Sequence, residues 1–101
     1  MAATLIYCFR VEVIRDKTGE VAVAEAKVWK VPESKDYPEG IKYSLYLVLK
    51  GTGEIVVGYD NHKPKGHHFH KHGKEKSYNF ENDAVLVEEF WDLVKEEGFE
   101  I

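Results

Sequence analysis

The sequence predicts an α+β fold: an antiparallel sheet of four to five strands, made of two hairpins, packed on one C-terminal amphipathic helix. Three observations carry this. Strand-type runs rich in β-branched and aromatic residues occupy 4–15, 21–31, 41–50 and 54–60. Turn residues separate the two members of each pair, DKTGE at 16–20 and GTG at 51–53. After residue 82 the apolar spacing changes from period two to the helical period. A chain of 101 residues has room for one core, so residues 1–101 are read as a single domain.

In the first run, TLIYCFRVEVIR, Leu5, Tyr7, Phe9, Val11 and Val13 share a face. Ile6, Cys8, Arg10 and Glu12 share the other, which turns polar along its length. The second run, VAVAEAKVWKV, contains alanines compatible with a helix, but its VAVA start and VWKV end favour a strand. PESKDYPEG at 32–40 is a loop long enough to cross a sheet edge. In IKYSLYLVLK, Ile41, Tyr43, Leu45, Leu47 and Leu49 take one face, and EIVVGYD pairs back across the GTG turn. Gly58 inside that strand marks either a bulge or the close approach of another group. KEKSYNF at 74–80 adds a short edge strand. Asn82 is suited to cap the helix, with Asp83 in its first turn. Val87, Phe90, Trp91 and Val94, joined by Leu86 and Leu93, form the apolar stripe, and Gly98 ends the helix.

Composition bounds the function. No apolar run approaches the ~20 residues of a membrane helix. The N-terminal stretch MAATLIYCFRVEV has neither a basic leader nor a small-residue cleavage site, so it does not read as a signal peptide. A single cysteine, Cys8, makes no internal disulfide, which fits a reducing compartment such as the cytoplasm. Cys8 is expected to be a small buried or half-buried residue rather than a catalytic thiol. The absence of glutamine and the scarcity of asparagine beside many Glu and Lys resemble thermophile composition. Net charge is −4, unevenly spread. Residues 62–76 carry five lysines against Glu75 alone, a net +4, which leaves −8 on the remainder. A basic strip on an acidic body suits an anion such as phosphate.

That strip lies within YDNHKPKGHHFHKHG, residues 59–73, which holds all five histidines of the chain. His68, His70 and His72 alternate, so an extended segment would point all three to one side, ~7 Å apart. A turn at Gly66 or Gly73 could bring His62 or Asp60 alongside. The spacing permits a divalent ion such as zinc without specifying one, and it matches no zinc-finger pattern. No resident cofactor is therefore expected, and adventitious metal is expected at His68, His70 and His72. The segment also contains the side chains of a metal-independent ribonuclease. Asp60, His68 and His70 are the candidate catalytic residues: a carboxylate to orient an imidazole, and an acid–base or phosphate-contacting pair. Tyr59, Asn61, Lys65 and Lys71 are the candidate binding residues, the lysines for phosphate and Tyr59 as lining. The plain alternative is a solvated hairpin tip, lysine-rich to discourage edge pairing.

The order VWKVPES, IKYSLYLVLKGTGEIVVGYDN, KGHHFH and SYNF before a short helix resembles the TumE family, over about residues 28–95. Its most specific parts are Tyr59-Asp60-Asn61 and the His-x-His at His68 and His70, and Lys65-Gly66 just before the latter fits too. His62, His67 and His72 are additional to the pattern and inherit no role from it. The resemblance implies the toxin of a toxin–antitoxin pair, encoded beside a helix-turn-helix DNA-binding antitoxin. RNA is the expected target. A non-enzymatic module that docks such a DNA-binding partner, and a histidine-cluster metal-binding protein, are the two alternatives.

Overall fold

The structure, a computed structural model, describes residues 3–63 and 65–100; Met1, Ala2, Pro64 and Ile101 lie outside the described residues. Six strands follow one another as an antiparallel meander: β1 (Thr4–Arg15), β2 (Val21–Lys30), β3 (Ile41–Leu49), β4 (Ile55–Asp60), β5 (His68–Lys71) and β6 (Lys74–Ser77). The helix α1 (Asp83–Glu96) then crosses back over one face, and β7 (Phe99–Glu100) pairs with the end of β1. The sheet order is β6-β5-β4-β3-β2-β1-β7.

The α+β class stands, with seven strands instead of four to five. β5 carries one apolar residue, Phe69, among histidines and lysine, so apolar periodicity does not reveal it. β7 is two residues long and owes its pairing to the return of the helix, Arg15 lying opposite Phe99.

Alternation decides the two faces. Rows such as Phe9–Ala26–Leu45–Tyr59–Phe69 and Val11–Ala24–Leu47–Val57 run across the strands on the helix side. The alanines of β2 lie between larger residues of β1 and β3, and all three are fully buried. Large beside small is how a sheet admits bulky helix residues. Leu86, Phe90 and Val94 are the buried helix residues, and Trp91 stacks on Phe9 with ring centroids 4.5 Å apart. Among the described residues, nothing forms a covering layer on the opposite face. It carries Arg10, Glu12, Glu25 and, against expectation, an exposed Cys8, which faces away from α1 by the same alternation.

Asn82 caps the helix, its Oδ1 accepting from the Val85 N–H at 2.9 Å. Replacing Asn82 by alanine orphans that donor. The expected loss is about 1 kcal/mol, read as a lowered urea midpoint with unchanged slope. No helix among the described residues is long and apolar enough to cross a membrane.

Candidate functional site

The open face of the sheet acquires a polar cluster where β4, β5 and β6 meet. Ser44–Asp60–His68–Ser77 form one cross-strand row, and Tyr46–Gly58–His70–Glu75 form the next. Asp60, His68 and His70 therefore point the same way from adjacent strands. Asp60 and His68 are buried, and His70 is half-buried.

Donors surround Asp60. Its Oδ1 accepts the His62 N–H at 3.2 Å and lies 2.8 Å from His68 Nε2. Its Oδ2 accepts the Tyr46 hydroxyl. His68 Nδ1 lies 2.8 Å from the Gly66 carbonyl oxygen. A carbonyl only accepts, so Nδ1 is the nitrogen that donates there, and Nε2 faces the carboxylate. His70 Nε2 stands 4.0 Å from Asp60 Oδ2, beyond hydrogen-bond distance. The two imidazoles lie edge to face, centroids 5.0 Å apart.

Tyr46 reaches Asp60 by lying across Gly58. A Cβ at Gly58 would meet Tyr46 Cε1 at 2.2 Å. Of the two expectations for that glycine, close approach is the one realised; the strand's irregularity lies instead between Leu47 and Val48. Burial, followed by the bond to Asp60, pushes the Tyr46 phenol well above the ordinary tyrosine range, so it stays a neutral donor. Glu75 completes the rim, Oε1 lying 3.7 Å from His68 Nε2. The Lys65 ammonium, 2.9 Å from both Glu75 oxygens, holds that carboxyl below its usual range, and the two imidazoles add to this.

The remaining candidates go elsewhere. Tyr59 is buried on the helix face against Phe69 and Tyr78 and does not line the cluster. Lys71, of the same parity as Phe69, lies on that face too, because strand side chains alternate. Asn61 is buried in a structural role: Oδ1 accepts the Tyr43 N–H at 2.9 Å and Nδ2 donates to the Ile41 carbonyl at 2.7 Å. His72 does not join His68 and His70. β5 ends at Lys71, His72 takes a φ of 50° in the turn with Gly73, and its ring pairs with Glu97 at 3.1 Å. Asp60 takes the third place that His72 was expected to hold, so among the described residues Asp60, His68 and His70 form the group whose ligand atoms converge. His67 stacks on Phe80, centroids 4.8 Å apart, and bonds Tyr43 and Glu39.

Tyr46 and Glu75 are the members that sequence reasoning missed. Gly58 was the available signal for Tyr46, since it sits opposite that residue in the register.

A family model described as toxin TumE matches residues 3–97, nearly the whole chain. Comparison with curated proteins and with solved structures returns no match.

Proposed function

The chain belongs to the toxin TumE family, and from that premise we propose that it acts as the toxin of a toxin–antitoxin pair by cleaving RNA at Asp60, His68 and His70. The observation that supports this reading is the pairing of a half-buried imidazole with a second one held by a carboxylate. His70 has its ring nitrogens available to take the proton of a ribose 2′-hydroxyl. The 2′-oxygen then attacks phosphorus, and the bond from phosphorus to the 5′-oxygen breaks. The imidazolium of His68 offers charge to the phosphoryl oxygens and, once its Nε2–H parts from Asp60 Oδ1, a proton to the departing 5′-oxygen. Asp60, held by Tyr46 and the His62 N–H, fixes that ring and balances its charge. Lys65 stands at the rim, within reach of phosphate once it parts from Glu75. The exposed sheet face gives an extended single strand a surface to lie on, and the antitoxin, expected to be a helix-turn-helix protein, covers the site.

Induced expression without the antitoxin tests this. Wild type is expected to arrest growth and fragment cellular RNA, and a His68→Ala/His70→Ala variant expressed at the same level is expected to do neither. Intact RNA and normal growth with the wild type would overturn the reading.

A further inference from the structure

The same cluster has the makings of a metal site. Asp60, His68 and His70 each present one ligand atom, and the three atoms lie within 4.8 Å of one another. A tetrahedral zinc-class ion, with bonds of about 2.0–2.1 Å, sets its ligands roughly 3.3–3.4 Å apart. From the two oxygens of Asp60, the present separations are 2.8 Å from Oδ1 to His68 Nε2 and 4.0 Å from Oδ2 to His70 Nε2, so both contacts readjust to meet one ion.

The surroundings match what such ions require. The Gly66 carbonyl holds His68 Nδ1–H and so aims Nε2 at the cluster, the usual arrangement behind a metal-bound imidazole. Tyr46 and the His62 N–H fix Asp60. Glu75 Oε1, 3.7 Å from His68 Nε2, comes within reach as a further ligand once its ion pair with Lys65 opens, and two carboxylates with two neutral imidazoles balance a divalent charge. Nitrogen with carboxylate oxygen and no thiolate suits zinc or its neighbours better than magnesium or calcium, which favour all-oxygen sites. The other histidine pairs, His67 with Glu39 and His72 with Glu97, lack a third ligand among the described residues.

We propose that Asp60, His68 and His70, with Glu75 as the fourth ligand, form a zinc-class cation site, and that the bound ion silences the toxin. The ion takes the place of the proton on His68 Nε2 and occupies the lone pair of His70. Neither imidazole is then free for proton transfer. The silencing rests on the RNA-cleaving reading above; the site itself does not.

Calorimetry with zinc chloride on untagged protein, never exposed to a nickel column, tests the site. Wild type is expected to bind one ion per chain. Tyr46→Phe, which strips one support from Asp60, is expected to weaken binding about 10-fold. His70→Ala is expected to weaken it by about 100-fold or more, beyond the range of an outer-shell loss. His72→Ala is expected to bind as wild type, and circular dichroism of each variant separates ligand loss from unfolding. Sub-stoichiometric binding, or equal binding by His70→Ala in a folded state, overturns the site. RNA cleavage measured across the same titration is expected to fall as the site fills, and cleavage that rises with zinc overturns the silencing. Stoichiometric binding by a metal-free protein that cleaves no RNA leaves the site standing and removes the RNA reading. Cleavage by a protein that takes up no zinc does the reverse.

Discussion

Gly58→Ala is expected to destabilise the protein by about 3 kcal/mol, the upper end of the usual cost of overpacking. The sign is the informative part. Gly58 is not among the glycines of positive φ, so its backbone suits alanine. On backbone entropy alone the substitution would stabilise by about 0.4–1 kcal/mol. The neighbour reverses this: a Cβ would stand 2.2 Å and 2.3 Å from two ring carbons of Tyr46. The ring must leave the strand, and its hydroxyl then leaves Asp60 Oδ2, in a place where a lost partner is expensive. Urea unfolding of Gly58→Ala, Tyr46→Ala and the double variant checks the cause. With Tyr46 removed, the three atoms nearest the added methyl are gone, so the double variant is expected to lose at least ~1 kcal/mol less than the two single losses together. Additive losses would mean that the glycine serves something other than the tyrosine.

This contact also shows how far the sequence could be read. The hairpin of β3 and β4 closes on the short GTG turn, which pairs Val48 with Ile55 and, carried outward unchanged, would set Gly58 opposite Leu45. The irregularity between Leu47 and Val48 shifts the register by one residue and brings Gly58 opposite Tyr46. The turn makes the pairing of the strands legible but not that shift, so Gly58 itself is the one sequence signal for this half of the site. The other half has none. Residues 61–67 separate β4 from β5, too many for a turn type to set the pairing of Asp60 with His68. That register depends on Asn61, which ties the start of the connection to β3 through two backbone groups, and on Asp60, which accepts from the His62 N–H. Both are side-chain bonds, and no periodicity announces them. The same limit misplaced His72. Alternation would have put it beside His70 had the strand continued, but the turn into β6 begins one residue earlier.

The large elements were legible for the opposite reason. α1 and the first four strands bury enough apolar surface to impose a period on their composition, and Asn82 and Gly98 mark the helix ends. β5 and β6 form an edge hairpin in which polar residues outnumber apolar ones. The chemistry of this hairpin and the segment leading into it was visible as five histidines and a run of lysines, but the direction of each side chain was not. Alternation turned Lys71 and Tyr59 to the helix face and left Asp60, His68 and His70 on the exposed one.

Separating His70 from His68 is expected to give the largest functional effect. His70→Ala is expected to slow cleavage of a short single-stranded RNA by about 10²–10⁴-fold, the usual contribution of one general base or acid. Its stability should change by less than about 1 kcal/mol, because the ring is half-buried and its nearest carboxylate oxygen, at 4.0 Å, is beyond hydrogen-bond distance. His68→Ala is expected to slow the reaction at least as much and also to cost about 3 kcal/mol of stability. Its ring fills a buried place between Asp60 Oδ1 and the Gly66 carbonyl, and removing it strips one donor from each. Asp60→Asn distinguishes orientation from bulk, since it keeps the shape while removing the charge that balances His68. A cleavage loss near that of His68→Ala would show that the charge is what positions the ring. Matching stability losses in His68→Ala and His70→Ala would contradict the division of labour, because only one of the two rings is bonded on both sides.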